Sequence, residues 1–184
     1  VTTESQSHHN ILTVNGHSNR ENDKKTGNTN FAILVSTKFT KPFKDPIGYG
    51  SHIARLANML GGGIIVQRLG DLRKGRRSTH EGLVTPTLTS AEPGDLACVL
   101  PYRHLVGITE MLSALDHIIP GINGSHTLLY GVEVKFYSLK VALDKGLQTS
   151  IKGLYAAGDG AGVTRGVIQA SSSGLWAARS ILGK

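Results

Sequence analysis

Two spacings of apolar residues run along the chain, one of three to four residues and one of two. Asp45-Pro46 supplies a cap and a first-turn proline. Ile53, Leu56 or Ala57, and Leu60 then recur at helical spacing until Gly61, which predicts a helix. Leu105, Ile108, Leu112, Leu115 and Ile119 repeat in the same way up to Pro120-Gly121, a second amphipathic helix. The third runs through Val167, Ala170 or Ser171, Gly174 or Leu175, Ala178, and Ile181 or Leu182. Phe31–Phe39 is β-branched and aromatic and is expected as a strand, as are Ile64–Leu69 and the short run Leu154–Ala157. Leu128–Tyr137 alternates, with Leu128, Tyr130, Val132, Val134 and Phe136 on one face and Glu133 and Lys135 on the other. Residues 1–29 are polar and read as a loop or arm, in which Ile11–Val14 could form one short strand ending at Asn15-Gly16. Thr85–Pro101 is broken by prolines and is expected to run irregularly over the surface. Strands alternating with helices predict an α/β fold.

Composition narrows the function classes. At 184 residues, 39% hydrophobic and 18% charged, the chain is long enough for one domain, or one with a small appendage. A net charge of +7 suits an anionic ligand and equally suits loose association with nucleic acid. The single Cys98 excludes a disulfide framework and a Cys-x-x-Cys redox pair. No apolar run reaches membrane-spanning length and no signal peptide is visible, so no membrane contact and a cytoplasmic location are expected. The histidines are scattered, His8-His9 lies in the polar arm, and no metal site is expected. Ser171–Ser173 lack the Gly-x-Ser-x-Gly elbow of hydrolases.

Two stretches carry candidate chemistry. Gly153–Gly162 reads as strand, glycine-rich turn and helix start, with Gly158, Gly160 and Gly162 around Asp159 and Ala161. Such a helix start offers unpaired N–H groups and a potential that favours negative charge. Asp159 stands where ligands of open α/β sheets bind, and a carboxylate there suits a hydroxyl rather than a phosphate. The second stretch is basic: Arg68, Arg73, Lys74, Arg76 and Arg77. It is either a solvated loop or one that binds phosphate or carboxylate. Without interleaved aromatics it makes a poor nucleic-acid platform. His17 to Arg20, with Ser18 and Asn19 between, and Tyr102, Arg103 and His104 just before the second helix are further candidate substrate contacts. Solvated-loop or capping roles stand beside them.

The segments Asp45–Gly63, Gln67–Thr79, Leu100–Leu112, Leu128–Tyr137 and Ile151–Ala170 resemble the C-terminal part of the uncharacterised FAD-dependent dehydrogenases. These are similar to the glutathione-reductase type of flavoprotein with two dinucleotide domains. The resemblance spans nearly all of residues 11–184. It implies an α+β inserted substrate domain at 30–145 and a C-terminal strand–Gly-rich turn–helix piece of an FAD-binding domain at 146–184. Residues 1–29 would be an arm or a returning segment of the FAD domain. It further implies that Asp159 holds a ribityl hydroxyl of FAD, and that Gly158, Gly160, Ala161 and Gly162 bring backbone to the cofactor. The N–H groups of Gly166, Val167 and Ile168 would favour negative charge on the reduced flavin. The parent would be an oxidoreductase moving hydride or electrons between flavin and an organic substrate, with NADH or NADPH as candidate donor. Its substrate and catalytic residues are not readable. Arg76, Arg77, Arg103, His104, His17 and Arg20 are its candidate substrate contacts. One departure stands out: no Gly-x-Gly-x-x-Gly occurs, since Gly61–Gly63 follows a helix pattern and precedes a strand. The chain also opens on Val1. It is therefore expected to be a fragment, inactive alone, whose partner is the missing N-terminal FAD-binding part of the same polypeptide. The alternatives are a non-catalytic module for an anionic ligand or partner and, less favoured, an RNA-associated flavoprotein.

Overall fold

A computed structural model of the chain describes residues 2–8, 10–17, 20–135 and 140–183, with the backbone alone for residues 2–8 and Lys24. It divides into two compact units, Val1–Val134 and Lys135–Lys184. The architecture is α/β, with helices around a small mixed sheet.

The first unit is built on strand β3 (Ile65–Arg68), the centre of a three-stranded sheet. It pairs in parallel with β4 (Glu92–Pro93) and antiparallel with β5 (Leu128–Gly131). Successive side chains of a strand point to opposite faces, and here both faces are covered. Ile65 packs with Ala54, Ala57, Leu96 and Val132 on one side. Ile64 and Val66 pack with Val14, Leu88 and Ala91 on the other. A strand buried on both faces reads as a continuous apolar run, and Ile64–Leu69 does so.

Helix α1 (Pro46–Gly61) starts as expected: Asp45 Oδ1 accepts the Gly48 N–H at 2.7 Å, and proline fills the first turn. It ends at Gly62, whose φ of 64° is left-handed. Of its expected stripe, Ala57 is buried and Ile53 packs against the core. Ala54 and Ala57 face the core, whereas Leu60 is exposed. The small residues let helix and sheet approach closely, so they, rather than the bulkier Leu60, take the interface.

Four further expectations are corrected. Residues 2–8 are no loop: β1 (Thr2–His8) pairs antiparallel with β2 (Ile11–His17) across a turn that contains Asn10 at φ 59°. The pairing is carried by backbone, so a polar strand leaves no trace in the hydrophobic pattern. Strand β2 is also longer than Ile11–Val14. Its Leu12 is held as if by a neighbouring strand: the Leu12 N–H donates to Asn58 Oδ1 at 2.8 Å, and Asn58 Nδ2 donates to Leu12 O at 2.9 Å. Phe31–Phe39, conversely, forms no strand. An extended run that pairs with no edge gains no ladder. It lies along helix α3 (Tyr102–Leu115) instead, with Val35 beside Gly107 and Thr37 Oγ1 2.8 Å from His104 Nε2. Helix α3 begins at Tyr102, so Arg103 and His104 belong to its first turn rather than preceding it.

The strand expected over Leu128–Tyr137 stops at Gly131, after which Val132 and Val134 pack on the Ile65 face with Leu129, not beside Leu128 and Tyr130. Phe136 and Tyr137 lie outside the described residues, as do His9, Ser18 and Asn19.

In the second unit Leu154–Ala157 is not a buried strand. Tyr155 makes a single antiparallel bridge with Gln148, and Leu154 is half exposed. A 3₁₀ turn at Asp159–Ala161 leads to helix α4 (Val167–Ile181). Its buried positions are Ser173 and Ala177 rather than the larger apolar residues. Among the described residues no helix is long and apolar enough to cross a membrane.

Candidate functional site

The glycine-rich turn of the second unit is shaped by backbone that other residues adopt at a cost. Gly158 has φ 78° and Gly162 φ 68°, both left-handed. Space is open around a Cβ placed at Gly160. Asp159 is exposed, and its Oδ1 accepts the Thr164 hydroxyl at 2.6 Å and the Gly166 N–H at 3.2 Å. The carboxylate thus ties the turn to the start of α4. Ser173 holds the other side: its hydroxyl accepts the Gly158 N–H at 2.8 Å and donates to Ala170 O at 2.8 Å. Gly166 provides no side-chain cap at the start of α4, where Val167 and Ile168 are exposed. Several N–H groups of the turn are spent within it: Gly158 on Ser173 Oγ, Gly162 on Asp159 O, Val163 on Gly158 O and Gly166 on Asp159 Oδ1. That leaves the first turn of α4 as the place where a ligand could meet backbone donors.

This arrangement fits a polyhydroxylated, anionic cofactor. The open space at Gly160 admits close backbone approach, and the helix start favours negative charge. A carboxylate accepts about four hydrogen bonds, so Asp159 can take a ligand hydroxyl while keeping the turn in place.

The basic stretch of the first unit is organised around a residue that sequence reasoning passed over. Asp71, on the short helix α2 (Leu69–Arg73), is buried. Its Oδ2 accepts from Ser78 Oγ at 2.7 Å and Arg68 Nη1 at 3.0 Å, and its Oδ1 from Arg76 Nε at 2.8 Å. The Ser78 hydroxyl, then the Arg76 guanidinium, hold its carboxyl down at about 2 against the opposing pull of burial. Gln67, fully buried, braces the same loop by donating to Arg76 O at 2.8 Å and accepting the Leu96 N–H at 2.8 Å. The signal available in the sequence was an aspartate among five basic residues, preceded by a glutamine in an apolar strand.

The remaining candidates are dispersed. Arg76 is pinned to Asp71, and Arg77 donates to Pro93 O at 3.2 Å. His17 ends β2, Arg20 is exposed in the turn beyond it, and Arg103 and His104 open α3. No hydrogen bond or ion pair among the described residues joins these groups into one site. No group of three or more potential metal ligands occurs among the described residues.

A family model described as "FAD-dependent protein, C-terminal domain-like" matches residues 1–136. The chain belongs to this family. The matched span nearly coincides with the first unit, and the glycine-rich turn lies beyond it. FAD-dependent proteins are thus the context of the fold. The chain is also similar to a protein of Clostridium beijerinckii named "Uncharacterized protein", 31% identical over 183 residues, covering 94% of this chain and 34% of that protein. It spans about a third of the length of that curated relative.

Proposed function

We propose that the chain forms part of an FAD-dependent oxidoreductase and that Gly158–Ile168 lies against the flavin half of the cofactor. The observation that carries this reading is the uncapped start of α4, with left-handed glycines and an exposed carboxylate around it. Membership of an FAD-dependent family supports the choice of cofactor. When bound, FAD supplies the hydride or electron transfer itself, and the protein's share is binding, orientation and electrostatics. Asp159 accepts a ribityl hydroxyl while Thr164 and the Gly166 N–H fix its position. The N–H groups of Val167 and Ile168 stabilise negative charge at the pyrimidine end of the ring. Gly160 and Gly162 keep side chains out of the way of the cofactor.

The test is an absorbance spectrum of the whole protein before and after NADH or NADPH is added without oxygen. A flavin band near the visible blue that bleaches on addition is the expected outcome for an enzyme fed by nicotinamide nucleotide. A flavin band that dithionite bleaches but neither nucleotide does would retain the flavoprotein and exclude that donor. A purified protein without flavin, which also fails to take up added FAD, would sink the reading.

A further inference from the structure

A cleft of about 210 Å³ opens on the first unit between the β3–β5 sheet and the chain from Ser78 to Pro93. Its floor is apolar, made by Val66, Leu88, Ala91 and Leu128. Its rim is polar, with Thr79, His80, Thr85 and Thr89. Arg68 also lines it, and its side chain is only 15% exposed. We propose that this cleft binds a small organic carboxylate with an aromatic or branched aliphatic body. The proposal does not depend on the flavin reading.

Charge at the cleft supports the anion. Arg68 and Arg76 share one carboxylate, Asp71, so two guanidiniums stand against one negative charge. Arg68 spends one N–H on Asp71 and one on Thr79 O at 2.8 Å, out of the five a guanidinium carries. A largely buried cation with a shared counter-ion is costly, and a ligand carboxylate would complete its pairing. His80, the other ionisable rim residue, is exposed and lies 3.8 Å from the Glu92 carboxylate. Volume supports the body: cavities of roughly 150 Å³ lined by apolar side chains accept benzene, and this one is larger. The apolar floor would be filled by the ring or branched chain, and the threonine hydroxyls would meet ligand oxygens at the rim.

Methyl-labelled protein titrated with sodium benzoate tests the proposal, with benzamide and sodium acetate as comparisons. Expected are saturable shifts at the methyls of Val66, Leu88 and Leu128 with benzoate. Benzamide, which keeps the ring and loses the charge, should bind at least about tenfold more weakly. Acetate, which keeps the charge and loses the body, should bind at least as poorly. Thr89→Trp, at an exposed rim position, should block benzoate while leaving the melting temperature unchanged. No saturable benzoate shift would overturn the proposal. So would benzamide or acetate binding as tightly as benzoate, or benzoate binding unaltered in a folded Thr89→Trp protein.

Discussion

Asp71 sits between Arg68, Arg76 and Ser78, and its carboxyl titrates at about 2 in the folded chain against an ordinary 3.8. The folded value is the lower one, so the associated stability is present above about pH 4 and is lost as pH falls towards 2. Discounted for solvent screening at this loop, the contribution is about 1 kcal/mol. Urea denaturation at stepped pH should show stability declining across that window, and the decline should shrink in Asp71→Asn. An identical pH slope in both proteins would contradict the assignment. Gln67 makes a sharper prediction, because it is fully buried and its amide serves the Arg76 carbonyl and the Leu96 N–H together. Gln67→Leu leaves both groups unpaired in the interior and should cost roughly 2–4 kcal/mol in chemical denaturation. A loss below about 0.5 kcal/mol would mean that water replaces the amide without difficulty. Neither residue's role could be read from the sequence alone. An aspartate among arginines and a glutamine in a strand acquire partners only when loops distant in sequence close around them.

At the scale of elements, helices were more legible than strands. A helix is written locally, and Asp45, Pro46 and the glycines after Leu60 mark both ends of α1 before any contact is known. Gly62, at φ 64°, has open space where a Cβ would sit, so strain from the backbone alone governs its replacement. Gly62→Ala should lower stability by about 1 kcal/mol with an unchanged denaturant slope. A neutral substitution would mean that the helix end readjusts. Strands depend on a partner edge, which is non-local. Phe31–Phe39 has the composition of a strand and joins no edge, while polar Thr2–His8 finds one in β2. The helix faces were legible only in part, at Ile53 and Ala57 of α1, for a related reason. Close approach selects Ala54, Ala57, Ser173 and Ala177, and leaves Leu60 and Leu175 outside. The glycine-rich turn itself was legible, since left-handed backbone at Gly158 and Gly162 requires the residue that the sequence places there. The Asp71 network and the cleft beside it were not.

For the whole molecule, the division into two units implies unequal stabilities. Val1–Val134 contains two buried clusters around β3, whereas the described buried residues of Lys135–Lys184 are Ala161, Ser173 and Ala177. Trp176, the chain's single tryptophan, donates its indole N–H to Lys145 O at 2.8 Å within the second unit. Its fluorescence should therefore change at lower denaturant than the far-ultraviolet circular dichroism, to which α1 and α3 of the first unit contribute most. Coincident transitions would show instead that the chain unfolds as one cooperative body. The central claim, that the turn before α4 is a flavin contact, is tested most directly by titrating FAD into the apo form of the whole protein. Wild type should be compared with Asp159→Ala and Asp159→Asn. Loss of a charge-assisted bond worth roughly 1.5–3 kcal/mol corresponds to about a ten- to hundredfold weaker dissociation constant for Asp159→Ala. Asp159→Asn keeps an acceptor for Thr164 and the ligand hydroxyl and should lose less. Equal dissociation constants for all three folded proteins, with stability alone reduced, would leave Asp159 as a fastener of its own turn and contradict the claim.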